Sequence, residues 1–203
     1  MFAGKTSEMI RSIKRYGIAG LKCIVIKYSG DTRYTDTPNL ATHDDILFPA
    51  SARYQLVDAI DSIDNVDVIG IDEAQFFPNL VDFCVMAADQ GKVVIVAALN
   101  STFERKPFPQ VANLMAQAET VNKLTAVCVG CKGEASFSHR TSNETGVEVV
   151  GGADKYEPLC RACYLAKVPP PALSPRQAES GPAADNADAS PTHLNSATGT
   201  FGP

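Results

Sequence analysis

The sequence lacks a long hydrophobic run, a secretory opening and an excess of basic charge. No run of about 18 apolar residues occurs, so we expect no membrane-spanning helix. Lys5, Arg11 and Lys14 interrupt any apolar stretch near the start, so we expect no secretory signal and a cytoplasmic location. The formal net charge is −5, which argues against a nucleic-acid binder, because such proteins need basic surface to displace counterions.

The cysteines are the first informative feature that the sequence does contain. Four of the six form two C-x-x-C pairs, Cys128 with Cys131 and Cys160 with Cys163. In a reducing compartment such pairs indicate a metal site and not disulfides. Four thiolates predict a closed, tetrahedral, structural zinc site. The alternative is a set of four unliganded thiols.

Short apolar runs alternate with helical patterns over the first 125 residues. Residues 21–28, 66–71 and 93–99 are nearly continuous in apolar side chains, which is typical of strands buried on both faces. Apolar residues repeat at helical spacing around residues 9–13, 56–63, 80–87 and 111–118. We interpret Gly17 as the end of the first helix. The pattern predicts an α/β domain over residues 1–125, with a mostly parallel sheet and helices on both faces.

The texture of the sequence changes after residue 125. Residues 126–167 contain both cysteine pairs and several turn signals, which predicts a small, zinc-ribbon-like domain. Residues 168–203 are rich in Pro, Ala, Ser and Asn, with almost no large apolar side chain. Such a composition cannot offset the entropy of ordering the chain, so we expect a disordered tail.

Gly4, Lys5 and Thr6 precede the first amphipathic helix, as in the last part of a phosphate-binding loop. Glycine allows the backbone to approach phosphates, lysine supplies a charge, and the hydroxyl can bind Mg²⁺ at a helix N-terminus. The complete motif has an earlier glycine and a preceding strand. We therefore expect that the first strand and the first half of the loop are missing from this chain. The alternative is a helix start without a ligand.

A second phosphate-site signal lies at residues 68–77, VIGIDEAQFF. An apolar strand that ends in Asp72 is expected to supply the Mg²⁺-side carboxylate of a P-loop enzyme. Glu73 follows at the carboxyl end of the strand, where open α/β sheets bind ligands, and it could accept a proton from an attacking hydroxyl. The alternative is that both carboxylates only cap the next helix.

Six blocks in order then carry a resemblance to a known family. They are MFAGKT (1–6), KYSGDTRY (27–34), IGIDEAQFF (69–77), VAALNSTFERKPF (96–108), LTAVC (124–128) and GGADKYEPLCRAC (151–163). Together they resemble the cytosolic-type, zinc-containing (type II) thymidine kinases over residues 1–167. The resemblance implies a RecA-like P-loop domain, a zinc domain with a substrate loop, and a homotetramer. It implies transfer of the ATP γ-phosphate to the 5′-hydroxyl of thymidine, which salvages a deoxynucleoside for DNA synthesis.

The resemblance also implies roles for individual residues, with ATP, Mg²⁺ and structural Zn²⁺ as cofactors. Glu73 matches the general base, and Thr6 and Asp72 match the Mg²⁺ site. The nucleotide-binding residues that it implies are Met1, Phe2, Ala3, Gly4, Lys5, Thr6, Asp31, Thr32, Arg33, Asp72, Glu73, Ala74 and Gln75. The thymidine-binding residues that it implies are Phe76, Phe103, Val147, Glu148, Val149, Val150, Gly151 and Tyr156.

Two other functions compete with a nucleoside kinase. One is a catalytically inactive, truncated product of such a gene that acts only as a non-catalytic subunit. The other is a DNA-binding zinc-ribbon ATPase, which the acidic balance and the lack of a basic stripe disfavour. Phe76 and Phe103 could also be ordinary core residues, as buried phenylalanines usually are.

Overall fold

Ten strands and five α-helices make up the computed structural model, which describes residues 1–30, 39–41, 47–146, 149 and 151–169. The strands are β1 (Cys23–Tyr28), β2 (Asn39–Ala41), β3 (Leu47–Pro49), β4 (Ser51–Arg53), β5 (Val68–Asp72), β6 (Val93–Val96), β7 (Ala126–Val127), β8 (Glu134–Ala135), β9 (Phe137–Arg140) and β10 (Tyr156–Leu159). The helices are α1 (Lys5–Ile18), α2 (Ile60–Ile63), α3 (Leu80–Asp89), α4 (Pro109–Met115) and α5 (Arg161–Lys167). Short 3₁₀ turns precede α2 at Leu56–Ala59 and follow β5 at Ala74–Phe76.

The main sheet has four strands in the order β4-β1-β5-β6, and all of its pairs are parallel. In β5 every residue from Val68 to Asp72 is buried, because the strand has a neighbour on each side and helices over both faces. The predicted parallel α/β sheet is therefore confirmed.

Two apolar cores lie on opposite faces of this sheet. Ile26, Ile69 and Ile71 pack with Leu80 and Phe83 of α3 in the larger core. Alternate strand positions point the other way, so Val25 packs instead with Met9 and Ile13 of α1. The predicted helices on both faces are confirmed by this arrangement.

Among the predicted element ends, those of the first helix and of the third strand were wrong. Gly17 does not end α1, which continues to Ile18; the residue with a left-handed backbone is Gly20, at φ 86°. The third predicted strand ends at Val96 and not at residue 99. The segment after Val96 leaves the sheet, because the Leu99 N–H donates to the Gln75 side chain at 2.9 Å.

The cysteine segment forms two small antiparallel ladders, β7 with β8 and β9 with β10, followed by α5. Its core contains Cys128, Leu159 and Tyr164, and Phe2 and Ala3 from the start of the chain pack against that core. Met1–Val168 form one compact unit. The division into domains at residues 125 and 126 stays a prediction.

The sequence also predicts a disordered tail and the absence of a membrane-spanning helix. The predicted disordered tail lies outside the described residues from residue 170 onward. Among the described residues, no helix is both long enough and apolar enough to cross a membrane.

Gly70→Ala is expected to destabilise the fold by about 1–3 kcal/mol, because it overfills the contact between β5 and α1. A Cβ at Gly70 would lie 2.3 Å from Cδ1 of Ile13. Gly17→Ala is the matched control: its nearest neighbour would be the Cys23 sulfur at 4.0 Å, and alanine favours a helix. Urea unfolding of both variants tests this, and equal stability of the two would contradict it.

Candidate active site

Gly4 sets the entry to α1 beside the sheet. Its backbone is left-handed, with φ 71° and ψ 24°, a conformation that glycine adopts without a Cβ penalty. Its carbonyl accepts the N–H of Glu8 at 2.9 Å and so closes the first helical turn. Lys5 is the first helical residue, so its side chain starts where the free N–H groups of the helix are exposed.

Thr6 joins this helix start to the end of β5. Its hydroxyl lies 3.0 Å from Oδ1 and 3.1 Å from Oδ2 of Asp72. Asp72 is 3% exposed and is the last residue of its strand. The structure thus brings together the two phosphate-site signals of the sequence, although 66 residues separate them.

Burial beside Glu73 disfavours the ionised form of the Asp72 carboxylate. Burial and the neighbouring Glu73 carboxylate raise the pKa of Asp72 to about 7, although the Thr6 hydroxyl and Lys5 act in the opposite direction. The hydroxyl of Thr6 and the carboxylate of Asp72 are hard oxygen donors, which suit a small divalent cation. A cation there would remove the cost by favouring the ionised carboxylate.

Glu73 adopts a left-handed backbone, with φ 49° and ψ 41°. This is uncommon for a residue with a long side chain and is often found at functional sites. The Gln75 amide donates to Oε2 of Glu73 at 2.5 Å, and its oxygen accepts the Leu99 N–H. Gln75 is itself buried. The Glu73 carboxylate is therefore held beside Asp72 by a fixed amide.

The other residues of these two segments have structural contacts. Met1 donates through its amino group to the Ser138 hydroxyl at 2.7 Å. The Ala74 N–H donates to the Ala97 carbonyl at 3.1 Å and ties the 3₁₀ turn to the end of β6. The ring of Phe76 stacks on Tyr28, with 5.2 Å between centroids.

Phe103, Val149 and Tyr156 form a second group around a buried arginine, Arg140. The Arg140 guanidinium lies 3.9 Å from the Phe103 ring centroid and donates to the Tyr156 hydroxyl at 2.9 Å. That hydroxyl donates in turn to the Val149 carbonyl at 2.8 Å. Gly151 is buried, and a Cβ there would meet Cδ of Lys155 at 2.6 Å. No local pattern in the sequence marks Arg140 as part of this group, because only the pairing of β9 with β10 places it opposite Tyr156.

Several predicted site residues cannot be placed. Those outside the described residues are Asp31, Thr32, Arg33, Val147, Glu148 and Val150.

The four paired cysteines converge on one point. Their sulfurs all lie within 4.8 Å of one another, and the Cys131 and Cys160 sulfurs are 3.6 Å apart. A tetrahedral zinc–thiolate site requires sulfurs about 3.8 Å apart, from zinc–sulfur bonds of about 2.3 Å. A Cβ at Gly130 would lie 2.9 Å from the Cys163 sulfur, so only glycine leaves this cluster its space.

Backbone donors prepare two of these thiols for the thiolate form. The N–H of Cys160 points at the Cys128 sulfur at 3.3 Å, and the N–H of Cys163 points at the Cys160 sulfur at 3.4 Å. Backbone hydrogen bonds from Cys131 and Cys160 lower the pKa of Cys128 to about 6, and the one from Cys163 lowers the pKa of Cys160. The neighbouring Cys160 and Cys128 sulfurs raise the pKa of Cys163 to about 12. The donor set therefore fits a thiophilic divalent metal.

A cavity of about 270 Å³ runs along β6 between the helix start and the cysteine segment. Val94, Val96 and Leu114 contribute apolar walls, and Lys5 lies at the cavity boundary.

Comparison with known proteins then identifies relatives. The family model described as thymidine kinase matches residues 1–164. The thymidine kinase of raccoon poxvirus is 52% identical over 165 residues, which cover 81% of this chain and 92% of the relative. The thymidine kinase of vaccinia virus strain Western Reserve gives the same values. The monkeypox virus thymidine kinase is 51% identical over the same shares of both chains.

Asp72→Asn is expected to stabilise the unliganded protein more at pH 8 than at pH 5. The pKa of Asp72 is raised from 3.8 to about 7, so its contribution to stability is complete below pH 3.8 and is lost progressively as the pH rises from there through about 7. Asparagine carries no charge and still accepts the hydrogen bond of Thr6.

Thermal melting without nucleotide at the two pH values measures this effect. The melting temperature of Asp72→Asn relative to wild type should rise by a few degrees, on the order of 2–6 °C, between pH 5 and pH 8. Asp61→Asn, at an exposed position, should show no such rise. A difference between Asp72→Asn and wild type that is independent of pH would contradict the electrostatic account.

Proposed function

The chain belongs to the thymidine kinase family, and we propose that it transfers the γ-phosphate of ATP to the 5′-hydroxyl of thymidine. The observation that carries the proposal is the contact of Thr6 with Asp72, with Glu73 next to it. It joins a phosphate-binding helix start, a cation-binding carboxylate and a candidate base at one edge of the sheet. The product would enter DNA precursor synthesis as a salvaged deoxynucleotide.

The phosphates of ATP are proposed to bind at the start of α1. Gly4 presents backbone without a side chain, and the first N–H groups of the helix have no partners within the helix. These groups and the helix dipole favour negative charge. Lys5 adds a mobile ammonium group for the terminal phosphates.

Mg²⁺ is proposed to bind between Asp72 and Thr6. The fit rests on the oxygen donors of the pair and on the raised pKa of Asp72, which marks a buried carboxylate in need of a cation. When bound, the metal would neutralise charge on the β- and γ-phosphate oxygens during transfer. Thr6 would then turn its hydroxyl oxygen to the metal and give up its hydrogen bond to Asp72.

Glu73 is proposed to be the general base. As the 5′-oxygen of the nucleoside forms its bond to the γ-phosphorus, the bond from phosphorus to the bridging oxygen of ADP breaks. The hydroxyl proton passes to the Glu73 carboxylate, which balances the charge on the new phosphate ester. Gln75 holds this carboxylate through its amide, so the base does not need to be reoriented for each turnover.

The nucleoside is proposed to bind between Phe103 and the segment 147–151. The Val149 carbonyl and the Tyr156 hydroxyl lie at the described end of this group. Backbone groups can satisfy the edge of a neutral base without a charged side chain. Phe76 packs on Tyr28 and would contribute an apolar wall.

Zn²⁺ is proposed to occupy the four-cysteine cluster in a structural role, because four thiolates leave no coordination position for a substrate. The cluster also serves the site indirectly. Tyr164 follows Cys163 in α5, and its hydroxyl donates to the Phe103 carbonyl at 2.6 Å. This hydrogen bond connects the cysteine cluster to Phe103, so a metal bound by the cluster would also help to hold Phe103 in place.

The remaining proposals concern assembly and location. A homotetramer in the cytoplasm, without nucleic-acid partners, is proposed from the family resemblance and the acidic composition. The non-catalytic alternative is not favoured, because the family match spans residues 1–164 and the chain retains Thr6, Asp72 and Glu73.

Purified protein is expected to contain about one Zn²⁺ per chain. Cys128→Ser should lower the zinc content and the melting temperature, because the Cys128 sulfur is fully buried and accepts a backbone N–H. Cys23→Ser, which lies outside the cluster, should change neither. Elemental analysis measures the metal, and a folded wild-type protein without zinc would refute the assignment.

Glu73→Gln is expected to lower kcat for thymidine phosphorylation by about 10²–10⁴-fold, because the amide cannot accept the proton. ATP binding should stay close to wild type and the melting temperature should not fall, because the shape of the side chain is kept and a like charge beside Asp72 is removed. Glu134→Gln, an exposed residue of β8, is the matched control and should be fully active. An unchanged kcat in Glu73→Gln would remove Glu73 from the mechanism.

A further inference from the structure

Arg140 is a buried cation that the roles assigned so far leave unused. It is 8% exposed, is the last residue of β9 and lies opposite Tyr156 in the ladder with β10. Arginine is seldom buried without several partners, because removing its charge from water is costly. Its partners therefore indicate what the buried charge stabilises.

The hydrogen bonds of Arg140 converge on the segment that follows its own strand. One guanidinium nitrogen, Nη1, donates to the Glu144 carbonyl at 3.2 Å and also to the Gly146 carbonyl. The other, Nη2, donates to the Tyr156 hydroxyl at 2.9 Å. Because that hydroxyl donates to the Val149 carbonyl, the guanidinium connects the backbone of Glu144, Gly146 and Val149 to β10.

The same guanidinium also lies over two aromatic rings. The Phe103 centroid is 3.9 Å from Cζ of Arg140, and the Tyr156 centroid is 5.4 Å away. The backbone carbonyl of Phe103 accepts a hydrogen bond from the Tyr164 hydroxyl. Arg140 thus joins Phe103 to the backbone of Glu144 and Gly146.

We propose that Arg140 is the positioning residue of the nucleoside site, fixing the backbone at Glu144, Gly146 and Val149 against Phe103 and Tyr156 so that thymidine meets a preformed pocket. This rests on the proposed function only for the identity of the ligand. Lysine is expected to be a poor substitute, because a compact ammonium group cannot stack flat on a ring while donating in several fixed directions. The effect should fall on the nucleoside, since Lys5, Thr6, Asp72 and Glu73 keep their contacts.

The test compares Arg140→Lys and Arg140→Ala with wild type. Arg161→Lys is the matched control, because Arg161 is exposed and stacks on one ring, Phe137, at 4.9 Å. Steady-state kinetics should show KM for thymidine raised about tenfold or more in both Arg140 variants, with KM for ATP within about twofold of wild type. The control should match wild type in both constants.

Hydrogen–deuterium exchange without substrate provides a readout that does not depend on activity. Peptides covering residues 141–151 should exchange about tenfold faster in Arg140→Lys than in wild type or Arg161→Lys. Zinc content should be equal in all three proteins. If wild type exchanges slowly there but does not phosphorylate thymidine, the proposed function fails while the positioning of the segment stands.

Two results would overturn the proposal. One is wild-type exchange and wild-type KM for thymidine in Arg140→Lys. The other is an equal rise in both KM values together with a lower melting temperature, which would indicate a general structural role. Arg140→Lys retains the charge, so the comparison holds even if Arg140→Ala does not fold.

Discussion

The complete burial of β5 is the constraint on which the other features of the proposed catalytic centre depend. Gly70 lets α1 approach this strand so closely that Ile13 occupies the space of a missing Cβ. That approach brings the start of α1 to the end of the strand, where Thr6 reaches Asp72. A helix packed farther away would separate the groups that are proposed to bind phosphate and cation, whatever the identity of the residues.

Two residues at the same edge of the sheet are held in locally unfavourable states. Asp72 is buried next to another carboxylate, which raises its pKa to about 7, and Glu73 has a left-handed backbone. Each feature is unfavourable in the protein alone, and each would have a use in the proposed site once a cation and a nucleoside are bound. This is the usual distribution of strain in enzymes, where rigid surroundings hold residues that local preferences would place elsewhere.

The cysteine centre and the proposed nucleoside site form one connected structure. Cys163 and Tyr164 are neighbours in α5, Tyr164 holds the Phe103 backbone, and Arg140 packs on the Phe103 ring. Small antiparallel ladders of two to four residue pairs bury too little apolar surface to be rigid by themselves. A bound metal would supply that rigidity at a point directly joined to the aromatic wall.

The sequence by itself determined the parallel α/β sheet, the convergence of four cysteines and the pairing of the Gly4–Thr6 helix start with Asp72 and Glu73. These follow from local signals: continuous apolar strands, fixed C-x-x-C spacing, and polar residues placed where a strand ends or a helix begins. Only the tertiary structure decided that Gln75 holds Glu73, that β6 ends at Val96, and that Arg140 lies between Phe103 and Tyr156. Gln75 lies near Glu73 in sequence but is fixed by the distant Leu99, and the same bond accompanies the end of β6. The position of Arg140 depends on the register of β9 with β10, which short-range patterns do not encode.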